Sequence, residues 1–390
     1  MSSLVSDRLR PFGTTIFAEM TKLAIDHQAV NLSQGFPDFD GPLFVKQAAR
    51  DAIDAGRNQY ARPAGEIPLV EAIAADVQDR LGVAYDPLSE ITVTSGCTEA
   101  IPATMLGLIN PGDEVVLFEP YYDSYRACVA LAGGVPRFVA MREDGGRFTF
   151  DRDELREAVS DSTRAILVNT PHNPTGVVLT REELTEIADL AKRHDALVIS
   201  DEVYEHLVFE GEHISIASLP GMRERTVVLS SFGKTFSMTG WKIGWAMAPA
   251  GLTAGIRSAH QFLTFAVSTP MQHAAAAAIS GGRGYIEELV EQYRASRDYL
   301  GENLARLGFD VIQPEGTYFI MAGHSAISDR LGVSGDIELA KKLTAEFGVA
   351  TIPPSVFCKR AELASGYLRF AFCKERRTLH EAVRRLERLA

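Results

Sequence analysis

The sequence predicts an α/β protein in which a large domain with a mostly parallel, seven-stranded sheet is joined to a smaller α+β domain. The first observation is the length of 390 residues, which exceeds the size at which one hydrophobic core normally suffices. The second is that short β-rich runs alternate with amphipathic stretches between residues 88 and 250. The third is a change after residue 283 to a long charged helix followed by short strands and helices. We therefore predict a large domain over residues 46–285 and a small domain formed by residues 1–45 and 286–390.

Seven short runs are predicted strands, and most of them are continuously apolar. Continuous apolar runs are typical of strands that are covered on both faces. The stretches between them predict helices, and Thr180–Arg193, for example, opens with Thr180 and Glu183 in capping-box spacing. Strand–helix–strand repetition predicts parallel strands with helices on both sides. The predicted strands are Glu90–Thr94, Glu114–Phe118, Val135–Ala140, Ala165–Asn169, Ala196–Ser200, Thr226–Ser230 and Ile243–Ala248.

The two ends of the chain lack this repetition. The first 40 or so residues contain Gly35, Pro37, Gly41 and Pro42, and we expect this segment to pack on the small domain or to line the site. The elements predicted after residue 283 are the helices Tyr285–Leu307, Asp336–Phe347 and Glu375–Leu389 and the strands Thr317–Met321 and Tyr367–Phe372.

Composition and charge exclude several classes of function. The chain has 39 Lys and Arg against 51 Asp and Glu, a formal net charge of −12, which argues against non-specific binding to nucleic acid or to an anionic membrane. No apolar run is long enough to span a bilayer, and the first 20 residues lack the apolar stretch of a secretory signal. The four cysteines form no C-x-x-C pair. We therefore expect free thiols and a cytoplasmic protein.

The segment Ser230–Trp245, SSFGKTFSMTGWKIGW, places Lys234 directly after a predicted strand. An isolated Gly-Lys pair is most often a surface turn. A phosphate-binding loop of the G-x-x-x-x-G-K-[ST] type would need glycine where Val228 stands, and a Ser231-x-x-Lys234 acyl hydrolase would need K-T-G and S-D-N triplets. The remaining interpretation is a Schiff-base lysine, whose amine condenses with a carbonyl cofactor and exchanges with a substrate amine. Ser231 and Lys242 would then bind a phosphate of that cofactor.

Polar residues that follow predicted strands supply what such a cofactor needs. Asp201 would keep a pyridine nitrogen protonated, which makes the ring an electron acceptor. Tyr204, and Asn173 in the turn NTPHNPTG, would donate to the phenolic oxygen of the same ring. Because ligands of open α/β sheets bind at the carboxyl ends of strands, we expect these side chains to meet there. In TSGCTEA, the free N–H groups of Cys97 and Thr98 at a helix start suit a phosphate.

On these motifs the sequence resembles the class I and II aminotransferases, which bind pyridoxal 5′-phosphate (PLP) and have PLP fold type I. The resemblance covers essentially the whole chain and is closest to the branch of kynurenine, glutamine and methionine aminotransferases and N-succinyldiaminopimelate aminotransferases. It implies an enzyme that moves the α-amino group of an L-amino acid to a 2-oxo acid with ping-pong kinetics. The motifs that carry it are NLSQGFPDFDGP (31–42), NQYARPAGEIPLVEAIA (58–74), EPYYDSY (119–125), NTPHNPTG (169–176), SDEVYEHLVF (200–209), SSFGKTFSMTGWKIGW (230–245) and GYLRFAFCK (366–374).

The resemblance implies which residues bind the cofactor and catalyse the reaction. Lys234 would hold PLP and shuttle the proton, and Asp201 would pair with the pyridine nitrogen. Tyr204 and Asn173 would face the phenolic oxygen, and Tyr122, in EPYYD, would stack on the ring. The implied cofactor ligands are Tyr60, Cys97, Thr98, Tyr122, Asn173, Asp201, Tyr204, Ser231, Lys234 and Lys242.

The resemblance also implies how substrate and a second subunit complete the site. Arg369, in YLRF, would bind the substrate α-carboxylate through two hydrogen bonds, beside Gly35 and Asn173. Tyr60, in NQY, would reach the phosphate of the neighbouring subunit, which implies a homodimer with shared active sites. The expected partners are therefore small-molecule amino acids and 2-oxo acids, with no metal, nucleic acid or membrane.

Departures from the family pattern bear on the amino donor. Tyr121 and Tyr122 stand where kynurenine-type relatives carry two phenylalanines, a change that bears on substrate preference. The stretch Gln261–Pro270, which in dicarboxylate-specific members supplies a second arginine, has none, so we expect Phe265 to line an apolar pocket and aspartate not to be preferred. The remaining candidate donors are aromatic, sulfur-containing or glutamine-type amino acids and N-succinyl-LL-diaminopimelate. For Tyr318, in GTYF, two interpretations remain: it lines the pocket or it lies in a strand core. The alternative activity is that of a PLP-dependent cysteine-S-conjugate β-lyase.

Overall fold

The computed structural model describes residues 5–389, so residues 1–4 and 390 of the predicted small domain lie outside the described residues. The α-helices are α1 (Ile16–Asp26), α2 (Leu43–Asp54), α3 (Ile67–Leu81), α4 (Cys97–Leu108), α5 (Ser124–Ala132), α6 (Arg152–Ala158), α7 (Arg181–Arg193), α8 (Phe232–Thr235), α9 (Ala250–Leu263), α10 (Thr269–Gly281), α11 (Arg283–Leu307), α12 (Ser325–Leu331), α13 (Gly335–Lys342) and α14 (Arg376–Leu386). The strands are β1 (Val30–Asn31), β2 (Ile91–Ser95), β3 (Glu114–Glu119), β4 (Val135–Asp144), β5 (Arg147–Phe150), β6 (Thr163–Asn169), β7 (Leu197–Asp201), β8 (Thr226–Ser231), β9 (Ile243–Met247), β10 (Asp310–Ile312), β11 (Phe319–Gly323), β12 (Val349–Ala350) and β13 (Tyr367–Ala371).

The large sheet has the strand order β2-β9-β8-β7-β6-β3-β4-β5. Its central strands β4, β3, β6, β7 and β8 run parallel, whereas β9 is antiparallel to both of its neighbours. All seven predicted strands occur, which confirms the α/β architecture. The sheet also has an eighth strand, because β4 continues to Asp144 and turns through Gly145 and Gly146, both with positive φ, into β5. This hairpin was not predicted, although the Gly145-Gly146 pair and the alternation of Phe148 and Phe150 with polar residues are sequence signals for it.

The central strands form because their residues are buried on both faces of the sheet. Every residue of β7 and β8 is buried. Helix α7 covers one face, and its predicted capping box is present: the hydroxyl of Thr180 accepts from the N–H of Glu183, and the carboxylate of Glu183 accepts from the N–H of Thr180. The polar residues that follow these strands are therefore positioned by buried, hydrogen-bonded elements.

The remaining strands lie apart from the large sheet. Strands β10, β11 and β13 form an antiparallel sheet, and β1 pairs in parallel with β12. The N-terminal segment joins the small sheet, because the N–H of Ala371 donates to the carbonyl of Leu32. The predicted boundary at 285/286 stays a prediction, and α11 runs through that position as one helix from Arg283 to Leu307.

The helices and the cysteines bear on the environment of the chain. Among the helices within residues 5–389, none has the length and apolar character needed to cross a membrane. All four cysteines, Cys97, Cys128, Cys358 and Cys373, are free thiols.

Candidate active site

The carboxyl ends of β6, β7 and β8 open into a cavity of about 470 Å³. Because these strands are parallel neighbours in the sheet, the residues that follow them lie side by side, as expected for an open α/β sheet. The cavity wall contains eleven residues that the sequence predicted for the site, namely Gly35, Cys97, Thr98, Tyr122, Asn173, Asp201, Tyr204, Ser231, Lys234, Lys242 and Arg369.

Lys234 lies in the short helix α8, which begins immediately after β8. Its Nζ donates to the hydroxyl of Tyr318 at 2.8 Å and to the carbonyl oxygen of Gly35 at 3.3 Å. The rings of Tyr204 and Tyr318 lie 5.6 and 5.5 Å from the same nitrogen. Burial lowers the pKa of Lys234 to about 8. About one tenth of this amine is therefore neutral, and nucleophilic, at pH 7.

Asp201 ends β7 and is 3% exposed. Its Oδ2 accepts from the hydroxyl of Tyr125 at 2.7 Å, and its Oδ1 accepts from the N–H of Val203 at 3.3 Å. Its backbone carbonyl accepts from the side-chain amide of Asn169 at 2.8 Å. Burial raises the pKa of Asp201 to about 6, against these hydrogen bonds, which lower it. A carboxylate so placed is suited to a cationic or proton-bearing ligand atom.

The start of α4 forms a cradle for an anion. Gly96 precedes it with φ +68, and the first N–H groups of a helix point outward as free donors. The Nζ of Lys242 donates to the hydroxyl of Thr98 at 2.7 Å, so an ammonium lies at the same helix start. A Cβ on Gly244 would come within 2.5 Å of the N of Cys97, and glycine there allows the cradle to approach β9. These donors fit the phosphate of PLP.

Arg369, on β13, is a buried cation, and one of its three nitrogens has no hydrogen-bond partner among the described residues. It is 2% exposed, and its Nη1 and Nη2 donate to Oδ1 of Asn173 at 2.8 Å and to the carbonyl of Ser33 at 3.0 Å. Within residues 5–389 its Nε has no hydrogen-bond partner. Burial lowers the pKa of Arg369 to about 10, so it remains charged at neutral pH. Its guanidinium carbon lies 3.9 Å from the ring centre of Phe319, an arrangement that suits binding of a carboxylate.

Comparison with known proteins agrees with this geometry. The family described as "Aminotransferase class I and II" matches residues 27–386. The chain is 47% identical to a probable N-succinyldiaminopimelate aminotransferase of Mycobacterium tuberculosis, over 98% of both chains, and 42% identical to a methionine aminotransferase of Escherichia coli, over 98% of this chain and 97% of the other. The chain belongs to the class I and II aminotransferases. The solved structure of N-succinyldiaminopimelate aminotransferase from Mycobacterium tuberculosis matches this aminotransferase with a TM-score of 0.96 and 48% identity, covering 100% of both chains.

The predicted resemblance, enzyme class and fold type are therefore confirmed for this aminotransferase. Its relatives in the predicted branch are named for amino-group transfer, and they include a kynurenine–oxoglutarate transaminase of Dictyostelium discoideum that is 40% identical over 97% of this chain and 94% of the other. These names favour transfer over the alternative of β-elimination.

Of the predicted site residues, Tyr60 does not line the cavity. It is 86% exposed, and its ring packs edge-on against that of Phe265, with the centroids 5.4 Å apart. Phe265 is likewise absent from the cavity wall of this chain, so its expected contact with the substrate side chain stays a prediction. Both residues are exposed on the surface of this chain.

The sequence did not predict two contacts in the site of this aminotransferase, one to Asp201 and one to Lys234. Tyr125 binds Asp201, and Tyr318 binds Lys234. Tyr318 was expected either in the pocket or in a strand core, and the structure shows that it is fully buried while its hydroxyl reaches the site. Tyr125 lies within the motif EPYYDSY, and its place in that motif is its only signal in the sequence.

A buried polar network lies behind the lysine segment. The carboxylate of Glu205 accepts from the hydroxyl of Ser230 and from Arg80, both at 2.6 Å. Neighbouring Glu202 lies 2.9 Å from Nε2 of His213. Glu202, Glu205 and His213 have side-chain atoms within 4.8 Å of one another. Their oxygens are occupied by hydrogen bonds from protein groups, which identifies the network as a support for the segment after β8.

Proposed function

We propose that the chain binds PLP at Lys234 and transfers the α-amino group of an L-amino acid to a 2-oxo acid by a ping-pong mechanism. The observation that carries this proposal is the convergence of Lys234, Asp201 and Arg369 on one cavity, whose wall also includes the anion cradle at the start of α4. Bound PLP would supply a carbonyl carbon for the amine and a ring that accepts electrons. The chain's own residues bind, orient and move the proton.

The cofactor ligands follow from the chemistry of each donor. The N–H groups of Cys97 and Thr98, the hydroxyl of Ser231 and the ammonium of Lys242 hold the phosphate. The carboxylate of Asp201 holds a proton on the pyridine nitrogen.

Other residues contact the phenolic oxygen and the face of the cofactor ring. The amide of Asn173 and the hydroxyl of Tyr204 donate to the phenolic oxygen, and the ring of Tyr122 packs against the cofactor. Burial raises the pKa of Tyr204 and of Tyr122, so both hydroxyls keep their protons and remain donors.

The substrate is oriented by Arg369 and deprotonated by Lys234. The guanidinium of Arg369 binds the α-carboxylate, which leaves the Cα–H bond facing the amine of Lys234. That amine accepts the Cα proton at Nζ and later returns it, a general base and acid step worth roughly 10²–10⁴-fold in rate. Gly35 closes this side of the cavity, and a Cβ there would come within 2.5 Å of the ring of Phe319.

The cavity wall restricts the donor. Its cationic residues within the described chain are Lys234, Lys242 and Arg369, and each already has a role toward cofactor or α-carboxylate. The remaining wall includes the aromatic rings of Phe17 and Phe36. We therefore propose a donor with an aromatic, sulfur-containing or glutamine-type side chain. N-succinyl-LL-diaminopimelate, which has carboxylates beyond the α-carboxylate, is proposed on a different ground, because it is the substrate in the name of a relative 47% identical to this chain.

A donor–acceptor panel tests this proposal. Purified enzyme with PLP is mixed with each amino acid, and the cofactor absorbance and the 2-oxo acid product are followed. We expect the wild type and Lys192→Ala, which removes a surface lysine, to react alike. Lys234→Ala should lose the absorption band of lysine-bound PLP and nearly all turnover. The proposal is contradicted if Lys234→Ala keeps both the absorption band and the turnover. It is also contradicted if no donor supports amino-group transfer and a cysteine conjugate gives mainly pyruvate and a thiol.

Assembly as a homodimer with shared active sites belongs to the same proposal. The exposed ring of Tyr60 and that of Phe262, 85% exposed at the end of α9, are large apolar groups typical of an interface. We also propose the domain division 46–285 against 1–45 and 286–390, because the large sheet and the three-stranded sheet are separate. The four free thiols support a reducing compartment such as the cytoplasm.

A further inference from the structure

The hydroxyl of Tyr318, the amine of Lys234 and a backbone carbonyl are joined by three hydrogen bonds. Nζ of Lys234 donates to Tyr318 at 2.8 Å and to the carbonyl oxygen of Gly35 at 3.3 Å. The hydroxyl of Tyr318 donates its own proton to that same carbonyl, 2.5 Å away. It is therefore left as an acceptor toward Lys234, because a hydroxyl has a single donor.

The fold holds this arrangement tightly. Thr317 is fully buried with φ +68, a backbone conformation that costs a β-branched residue free energy and that turns Tyr318 toward the cavity. Gly35 lies so close to the rings of Tyr318 and Phe319 that a Cβ would come within 2.8 and 2.5 Å of them. The ring of Tyr204 packs edge-on against that of Tyr318, with centroids 5.2 Å apart.

We propose that Tyr318 is a positioning residue which, together with the carbonyl of Gly35, directs the amine of Lys234 whenever that amine is not bonded to the cofactor. A neutral amine has two N–H bonds and one lone pair. When the two acceptors take both N–H bonds, the lone pair points into the cavity, where the substrate Cα has to lie. This role rests on the proposed aminotransferase function.

The proton transfer balances as follows. The Cα–H bond of the substrate breaks, and the lone pair of Nζ forms a new N–H bond. The electron pair of the C–H bond stays on the substrate, and the ring of bound PLP would accept it. The ammonium of Lys234 keeps its bonds to Tyr318 and Gly35, and the transferred proton is its third N–H, directed back into the cavity for return.

Removal of the Tyr318 hydroxyl should change the titration of Lys234. Burial lowers the pKa of Lys234 to about 8, while an acceptor bonded to the amine favours the charged form. Loss of that acceptor should lower the pKa further. The other titratable groups that face Lys234 are Asp201, Tyr204, Lys242, Arg369 and Cys373, and Tyr318→Phe leaves them in place.

The first experiment uses the cofactor-free chain. Reductive methylation of Lys234 with formaldehyde and cyanoborohydride is followed by peptide mass spectrometry across pH 6 to 11. In Tyr318→Phe we expect the midpoint to fall by about half a unit to one unit, because a hydrogen bond from the ammonium is stronger than one from the neutral amine by roughly that amount. Tyr293→Phe is the matched control, because Tyr293 is equally buried and packs on the ring of Tyr318. An unchanged midpoint in Tyr318→Phe overturns the proposal.

The second experiment uses the PLP-loaded enzyme in a single half-reaction with a donor carrying deuterium at Cα. We expect Tyr318→Phe to slow the proton transfer by about 10–100-fold, to change the donor Kd by less than about threefold and to increase the isotope effect. Tyr293→Phe should behave as wild type. A loss confined to donor or cofactor affinity overturns the positioning role. If the wild type reacts with no donor, the proposed function is contradicted. The methylation midpoints would still show whether Tyr318 affects the titration of Lys234.

Discussion

Nη1 of Arg369 donates a hydrogen bond to Oδ1 of Asn173, 2.8 Å away, although 196 positions separate the two residues. Arg369 belongs to the three-stranded sheet, and Asn173 belongs to the turn that follows β6 in the large sheet. Because a guanidinium only donates, this contact fixes the orientation of the amide, with Oδ1 toward Arg369. The Nδ2 of Asn173 is then available as a donor. The same contact therefore aligns the group proposed for the α-carboxylate with the donor proposed for the cofactor.

Arg369→Gln should weaken binding of the amino acid while leaving the cofactor in place. Loss of one partner of a buried charge pair costs about 2–5 kcal/mol, and we expect kcat/KM for the donor to fall about 30- to 5000-fold. Arg369→Lys should also be impaired, because an ammonium does not reproduce the two parallel hydrogen bonds of a guanidinium. Steady-state kinetics and the absorbance of bound PLP provide the measurement.

The control for this prediction is a donor without a carboxylate. The amine formed by decarboxylation of the same amino acid cannot bind Arg369 through that group. The ratio of rates between amino acid and amine should therefore shrink in Arg369→Gln. An equal loss for both donors, or release of PLP from the variant, argues that Arg369 supports the structure of the site instead of binding the carboxylate.

Asp201→Asn should abolish most activity but stabilise the cofactor-free chain. The pKa of Asp201 is raised from 3.8 to about 6 by burial, so its ionisation in the folded chain is unfavourable by about 3 kcal/mol, at about 1.4 kcal/mol per unit. A carboxyl group with a raised pKa favours the folded state below its unfolded pKa, and this contribution is lost as the pH rises through about 6. We therefore expect Asn to stabilise the cofactor-free chain by up to about 3 kcal/mol at pH 8 and by little near pH 4.

The measurement is urea unfolding of both cofactor-free proteins from pH 4 to 8, with the exposed Asp54→Asn as the matched control. Turnover of PLP-loaded Asp201→Asn should fall about 10²–10³-fold, the usual effect of removing one preorganised electrostatic partner. A difference in stability that does not depend on pH would show that burial of the charge is not its cause. Wild-type turnover would exclude the proposed contact with the ring nitrogen.

The sequence predicted the position of the site because its residues follow strands. Asp201 and Lys234 come after continuous apolar runs, and such runs predict parallel neighbours whose carboxyl ends lie together. The amphipathic pattern likewise predicted α7 with its capping box at Thr180. These features depend on residues close in sequence, so a local pattern is sufficient to predict them.

Contacts that depend on side-chain direction were not predictable in the same way. Tyr125 reaches Asp201 across 76 positions, and Tyr318 reaches Lys234 across 84. The direction of Tyr318 depends on the positive φ of Thr317, which its sequence does not signal, because β-branched residues rarely adopt it. Strand β5 was missed because it has only four residues, although the Gly145-Gly146 turn before it is a hairpin signal.

Glu205→Gln should destabilise the chain in a pH-dependent manner. Although burial opposes ionisation, Arg80, the nearby histidines and Ser230 hold the pKa of Glu205 at about 2, below its ordinary 4.5. A lowered carboxyl pKa stabilises the fold above the unfolded pKa, and this contribution is lost as the pH falls from about 4.5 toward 2. Since the side chain of Arg80 is partly exposed, we expect a loss of about 3 kcal/mol at pH 7, the low end for a buried pair.

Urea unfolding at several pH values measures this effect, with the exposed Glu182→Gln as the control. The gap between wild type and Glu205→Gln should narrow below pH 4.5, whereas Glu182→Gln should stay near wild type throughout. A similar loss in both variants, or a gap that persists at pH 2, contradicts the assignment of the stabilisation to the charge pair.

Tyr60 should act on the site of the partner subunit, and mixed dimers test this. Tyr60→Ala and Lys234→Ala are each expected to be impaired alone, the first through weaker PLP binding. When both variants are unfolded together and refolded, half of the dimers are mixed. If Tyr60 acts across the interface, each mixed dimer contains one site with an intact Lys234 and an intact Tyr60, so activity should rise to about one quarter of the wild-type value. If Tyr60 serves its own chain, each mixed dimer has two defective sites, and activity should not exceed that of the separate variants at limiting PLP.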